Sequence, residues 1–386
     1  MHEISIVWLD ANVPMIKPLR EKLKGHLCSC YSMSNPLKNK DDTRIGVISS
    51  AIPFYVRKCV DFLSRYHIVP GYYGFKFQHF ALDYVFASKV AQDNSTIVFV
   101  HESYKRCIKE SQKKGKIVVT MAGNAEPSRE YQRVMAEYAS FAITKKYIYG
   151  DVKYQSRIRK NLVQANRIIS ISKVSEKTFI EAGYDKNKFR LIPLTGTDYI
   201  PQSTYVADRP KAFITIAFHS FIKGTHRLLL AWKEAGIEGI PLIVAGRLCD
   251  DMKEFVEKNG PFNNVIFTGY IQGSLNDFYK QYDAVGVLMS LSEGAVRTTP
   301  ELMSYGFPMI VSPDATCDIV KNKINGFIVD PKNEVEIVEK LKWFAEDWDR
   351  VHQMRPRVLT SVSHRTVREF SEDCADYLMS LIKESE

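Results

Sequence analysis

The chain has 386 residues, 45% of them hydrophobic and 25% charged, and a formal net charge of +9. That length exceeds what one small core needs, so two globular units are expected, with an acidic partner or surface to match the charge. No apolar run of about 18 residues exists to span a bilayer, which excludes a helical membrane protein.

Taken in order, residues 1–200 alternate strand and helix patterns. Ile4–Leu9 reads as a buried strand and Val13–Gly25 as a helix. Arg44–Ser49, Thr96–Val100, Lys116–Met121 and Arg167–Ile171 read as further strands with helices between them. Such alternation predicts an α/β fold with a mostly parallel sheet and helices on both faces. Met1–Asp10 lacks the basic and apolar regions of a signal peptide. The seven cysteines are odd in number and form no CxxC pair. Cys28 and Cys30 share one face of a predicted strand, but two sulfurs do not make a zinc site. Free thiols in a reducing cytoplasm are expected, and no metal site. The turn Asp10-Ala11-Asn12-Val13-Pro14 has no glycine, so it is not a dinucleotide fingerprint.

Asp198–Pro210 is polar, proline-bearing and aperiodic, as an interdomain linker would be. A second alternating series follows: strand Ala212–Phe218, helix His226–Ala235, then strands Pro241–Ala245 and Val265–Thr268. The stretch 283–331 reads strand, turn, helix, strand, helix, strand, with strands at Ala284–Leu288 and Phe307–Val311. Its first helix begins near Thr298–Pro300. Glu293 in the turn and Glu301 in the helix stand eight residues apart and can face one ligand. Between them Gly294, Ala295, Val296, Arg297 and Thr298 can point backbone N–H groups at an anion. A phosphate ester of a sugar suits that layout, as does an ordinary crossover with surface glutamates. The last helical segment, about Arg365–Lys383, places Val367, Phe370, Cys374, Leu378 and Leu381 on one face.

The run S-L-S-E-G-A-V-R-T-T-P-E-L-M-S-Y-G-F-P, followed by N-G-F-I-V-D-P, resembles the donor-site signature of retaining GT-B glycosyltransferases. This is the glycosyl transferases group 1 family, bacterial-polysaccharide type. Ser290, Glu293, Gly294, Glu301, Met303, Gly306 and Pro308 match its pattern, while Ala295-Val296 replaces its Phe-Gly. The resemblance covers about residues 165–345 and thins before them. It implies two Rossmann-like domains whose parallel sheets face each other across a cleft. Residues 1–200 would bind the acceptor, with 361–386 crossing back onto them, and 201–360 the nucleotide-sugar donor.

The same resemblance implies roles. Glu301 would hold the donor ribose, and Glu293 would act on the sugar. Lys223, in the loop Phe218–Gly224 with Ser220, would meet the diphosphate as negative charge develops. That loop lacks the arginine its relatives pair with the lysine, and Arg297 or Arg227 is the substitute. Backbone at Tyr270-Ile271 would meet the base, with Gly246-Arg247 on the same side. The family's T-x-H becomes Thr120-Met121-Ala122, so its first-domain histidine is absent. His101, at a strand end, is the candidate to orient an acceptor hydroxyl or take a proton, with Asn124 and Glu126 as polar neighbours. No cofactor or metal is expected, because a UDP- or GDP-linked sugar serves as substrate and its own phosphate can take the acceptor proton.

The expected activity is hexosyl transfer to a carbohydrate or lipid-linked acceptor in polysaccharide biosynthesis. Two alternatives stand beside it: a sugar phosphorylase on the same scaffold, or a non-catalytic basic protein binding nucleic acid or membrane. Lys105 to Lys116 and Lys145 to Lys160 are basic segments, the second interleaved with Tyr147, Tyr149 and Tyr154. They suggest peripheral attachment to the cytoplasmic face of an anionic membrane. Nucleic acid is the less expected partner.

Overall fold

The computed structural model describes residues 3–11, 13–33, 46–66, 68–194, 196–198, 209–362 and 365–385. Thirteen strands form two parallel sheets among them. The first contains β1 (Ile4–Val7), β2 (Leu27–Met33), β3 (Val47–Ser50), β4 (Ile97–His101), β5 (Ile117–Ala122), β6 (Arg167–Ser170) and β7 (Phe189–Leu191), ordered β3-β2-β1-β4-β5-β6-β7. The second contains β8 (Lys211–Ile216), β9 (Leu242–Ala245), β10 (Val265–Gly269), β11 (Asp283–Leu288), β12 (Met309–Val311) and β13 (Gly326–Ile328), ordered β10-β9-β8-β11-β12-β13. Strands covered by helices on both faces need apolar side chains on both, which is why Ile4–Val7 and Asp283–Leu288 are buried throughout.

The first sheet carries helices α1 (Ile16–Lys22), α2 (Ile52–Arg65), α3 (Tyr73–Gln92), α4 (Lys105–Lys113), α5 (Pro127–Ser140), α6 (Val152–Gln164) and α7 (Lys173–Glu181). The second carries α8 (Thr225–Ala235), α9 (Asp250–Asn259), α10 (Leu275–Tyr279), α11 (Thr298–Ser304), α12 (Glu334–Glu346) and α13 (Asp349–Ser361). The terminal α14 (Val367–Ser385) returns to pack on α1. Its Phe370, Cys374, Leu378 and Leu381 enter one apolar cluster with Ile16, Leu19 and strands of the first sheet. This is the α/β GT-B architecture, and the helical face expected at the carboxyl end of the chain supplies the crossing.

Strand order reverses between β1 and β4 in one sheet and between β8 and β11 in the other. At such a reversal the loops leaving adjacent strands diverge, opening a crevice at their carboxyl ends where ligands bind. His101 stands at the first reversal; Lys223 and Glu293 lie in the two loops at the second.

Three sequence expectations change. The helix foreseen from Val13 starts at Ile16, and the strand foreseen over 44–49 is Val47–Ser50, with Arg44 outside the described residues. Asn12 and 199–208, most of the expected linker, also lie outside them. Between β12 and β13 a single 3-10 turn, Pro313–Ala315, replaces the expected helix. Asp314 within that turn is held by Arg129 at 3.1 Å and Arg133 at 2.7 Å, both from α5. These long-range ion pairs fix the turn from outside its own sequence.

The helix α5 joins the halves. Glu126 caps it, accepting from the Arg129 N–H at 2.9 Å. Its Val134 and Tyr138 belong to the apolar cluster of the second sheet, with the Tyr138 ring 5.1 Å from Phe221. Glu137 accepts from His226 at 2.9 Å and Arg227 at 2.8 Å, and the Tyr138 hydroxyl donates to Asp251 at 2.9 Å.

Candidate active site

Two glycines bring the site together. Gly224 has φ +64°, and a Cβ there would fall 1.8 Å from the Met289 carbonyl oxygen. Only glycine permits both the left-handed backbone and that approach. The loop after β8 thus lies against the loop after β11, and Lys223 Nζ reaches Glu293 Oε1 at 2.5 Å. The Ser290 hydroxyl donates to the same oxygen at 2.7 Å. Glu293 is buried, so this pair is a neutralised but strongly directed charge at the mouth of the second sheet.

Gly294 makes the second approach. A Cβ there would stand 2.2 Å from the Gly123 carbonyl oxygen, in the loop after β5. The Ser172 hydroxyl also donates to the Gly294 carbonyl. The signature turn is therefore wedged against the first half. Ala295 is partly buried against the apolar cluster of the first sheet, and Val296 is buried in that of the second.

The remaining expected residues divide. Glu301 lies on the first turn of α11, where burial raises its carboxyl above the ordinary range and the Arg297 cation, at 3.8 Å, opposes that shift. Arg297 also pairs with Asp198, while Arg227 is committed to Glu137 in the contact between halves. Neither substitute arginine stands beside Lys223 in hydrogen-bonded contact. Thr298 opens α11, and Ser220 precedes the turn that carries Lys223. Tyr270 is 77% exposed, and Ile271 packs on the second cluster. The Gly246 N–H donates to the Gly269 carbonyl at 2.8 Å, which ties the ends of β9 and β10 together on that side.

A cavity of about 230 Å³ lies in the first half, lined by His101, Glu102, Asn124, Glu130, Tyr149 and Tyr154 among others. His101 Nδ1 accepts from the Ser103 backbone N–H at 3.1 Å, which leaves the ring proton on Nε2. The ring is enclosed by Trp8, 4.9 Å away, and His79, 4.8 Å away, and burial lowers its pKa. With Nδ1 accepting from Ser103, the ring offers an Nε2–H, an arrangement suited to orienting a hydroxyl. Glu126, as helix cap, is structural, and Arg159 at 3.4 Å completes its partners.

Glu130 was not foreseen. It lines the cavity from α5, makes no side-chain hydrogen bond among the described residues, and is faced by both Glu293 and Lys223. Burial, reinforced by the Glu293 charge, raises its carboxyl well above the usual range. Glu130, Val134, Glu137 and Tyr138 share one buried stripe of α5. Two carboxylates at helical spacing on an apolar face were the available signal.

Residues 198–358 match the family model described as glycosyl transferases group 1. The chain is 29% identical over 154 residues to an uncharacterized glycosyltransferase of Methanocaldococcus jannaschii, a match spanning 38% of this chain and 39% of that protein's length. Anabaena HepE in complex with UDP and glucose superposes with TM-score 0.65 at 15% identity, covering 98% of this chain and 100% of its own. Sucrose-phosphate synthase from Thermosynechococcus elongatus gives TM-score 0.68 at 16% identity, with 100% of both chains covered. At these identities the solved structures establish the fold. The chain thus carries a GT-B fold, and its residues 198–358 match the glycosyl transferases group 1 model.

Proposed function

We propose that the protein transfers a sugar from a nucleotide-sugar donor to a carbohydrate or lipid-linked acceptor, with retention of anomeric configuration. The Lys223–Glu293 pair at the strand reversal of the second sheet, opening toward the cavity of the first, carries this reading. HepE was solved with UDP and glucose, which supports a uridine diphosphate donor here. In this reading Lys223 turns part of its charge from Glu293 onto the donor diphosphate. The bond between the anomeric carbon and the phosphate oxygen breaks as negative charge grows beside the ammonium. Glu293 accepts hydrogen bonds from sugar hydroxyls, and Glu301 does the same for the ribose. The acceptor oxygen bonds the anomeric carbon on the departing face, and its proton passes to the leaving phosphate oxygen. The Tyr149 and Tyr154 rings give the acceptor an aromatic wall, His101 donates to its hydroxyls, and Glu130 adds a further polar group to the same cavity.

Seven free cysteines, five of them buried, fit a reducing compartment such as the cytoplasm. The test is a thermal-shift panel of UDP- and GDP-linked sugars, followed by an assay of diphosphate release. A ligand at 100 times its Kd stabilises by about 2.7 kcal/mol, a readily measured shift. No shift with any nucleotide sugar defeats the reading. Turnover that requires inorganic phosphate points to a phosphorylase instead.

A further inference from the structure

The helix α3 is apolar on both sides. It buries Leu82, Phe86, Ala87 and Val90 in the core, with Gln78, His79 and Asp83 beside them, and still exposes Phe77, Phe80 and Tyr84. The exposed aromatic side chains are the feature that calls for explanation. Beside it, Ile52, Tyr55, Phe62 and Tyr66 of α2 and its C-terminal cap are exposed along one stripe, with Phe62 57% and Tyr66 65% open. The two helices pack on each other, and each carries exposed aromatic side chains on its outer surface. Patches of this kind mark protein or membrane contact.

The rim of the face selects between those. Arg106 of α4 places its guanidinium 4.7 Å from the Tyr84 ring. Lys105, Lys109 and Lys113 follow on α4, with Glu110 as its acidic residue. Between α4 and α6 runs an open groove of about 420 Å³, lined by Lys105, Val152, Lys153, Ser156, Arg157 and Lys160. The groove lining holds no carboxylate, and Arg157 Nε and Nη2 are buried without a hydrogen-bond partner among the described residues. Lys116, which the sequence counted with this basic set, is instead buried 2.6 Å from Asp93. Lys145 belongs to the contact between halves, its backbone N–H donating to Glu254. The basic surface is therefore smaller than the sequence suggested, but it borders an apolar face the sequence did not reveal.

We propose that the α2–α3 aromatic face and the α4–α6 basic groove dock the protein peripherally on an anionic membrane. The rings enter the interface while the groove takes lipid phosphates. Charge complementarity supports this occupant, since two copies meeting through the same face would bring like-charged rims together. Phe75, also on α3, lines the cavity containing His101, which lies in the same half of the chain as the proposed surface. This extends the transfer reading by naming where its acceptor is held, although docking itself does not depend on the donor.

The full chain is sedimented with phosphatidylcholine vesicles, with and without phosphatidylglycerol, at low and high salt. The unmodified protein is expected to bind only the anionic vesicles, and less at high salt. Each interfacial lysine contributes about fivefold in affinity, so Lys105→Glu/Lys153→Glu/Lys160→Glu loses about a hundredfold or more. Phe62→Ser/Tyr66→Ser/Phe77→Ser/Phe80→Ser is expected to bind at least tenfold more weakly. Both variants must keep the parent unfolding midpoint and donor-nucleotide affinity, which separates this test from that of the transfer reading. Absent binding at low salt, equal binding to neutral vesicles, or variants that bind like the parent would overturn the proposal. So would an aromatic variant whose only change is a lost dimer in sedimentation velocity.

Discussion

Replacing Lys223 by alanine tests whether its charge serves the donor or merely neutralises Glu293. The substitution removes a cation 2.5 Å from a carboxylate whose side chain is 6% exposed. Glu293 then keeps the Ser290 hydroxyl at 2.7 Å as its remaining partner. Breaking a buried ion pair costs about 3–5 kcal/mol; Lys223 is 26% exposed, which puts the stability loss near the low end. Loss of a contact to developing charge costs about 2–4 kcal/mol in the transition state, or about 30- to 1,000-fold in turnover. The two costs separate in a double-mutant cycle with Glu293→Gln, because glutamine has no charge left to neutralise. In that background Lys223→Ala is expected to restore stability but still to weaken nucleoside-diphosphate binding and lower residual diphosphate release. Calorimetric titration and steady-state kinetics measure both. If the lysine can be removed from the Glu293→Gln protein with no further change in either, its role is confined to Glu293 and the proposed chemistry is wrong.

Glu301→Ala is expected to weaken nucleoside-diphosphate binding about tenfold or more, the loss of a hydrogen bond from a neutral group to a charged one. Unaltered affinity in the same titration would refute its place on the ribose. The contact between halves is expected to be acid-labile. His226 and Arg227 lower the Glu137 carboxyl from 4.5 to about 2 against the opposing effect of burial. Its stabilisation, about 3 kcal/mol, is complete above the unfolded value near 4.5 and is lost as pH falls toward 2. Burial lowers the pKa of His226 from 6.5, so its neutral form also loses stability with acid, below that unfolded value. Unfolding midpoints against pH should show a flatter acid limb in Glu137→Gln, and an unchanged limb would exclude Glu137 as the source.

The donor half was legible because its signals are local. Glu293, Gly294 and Glu301 occur within one short stretch, and the strand leading into them is a continuous apolar run. What escaped was long-range. Nothing near Asp314 announces two arginines from α5, and nothing near Arg297 announces Asp198. The absent T-x-H histidine drew attention to Asn124 and Glu126, yet the residue facing Glu293 is Glu130, one turn into the next helix. A carboxylate on a helix reads as solvated unless its stripe is known to be buried, and here the other sheet buries it. The aromatic face of α2 and α3 was hidden for the opposite reason, since an apolar pattern is ordinarily assigned to the core.

The helix α5 limits how the molecule can be divided. Val134, Tyr138 and nearby Ile143 are contributed by the first half of the chain but are part of the core beneath the second sheet. A fragment ending near residue 198 would carry these side chains into water, and its complement would be left with an unfilled trough between Phe221 and Phe255. The halves should accordingly melt as a single cooperative unit, with severed pieces soluble only when expressed together. Relative rotation of the sheets about the connecting segment would have to peel α5 from one of them. The smaller movement available to a donor entering the site is displacement of the Lys223 and Glu293 loops themselves, so the cleft is better described as a gated slot than as a pair of jaws.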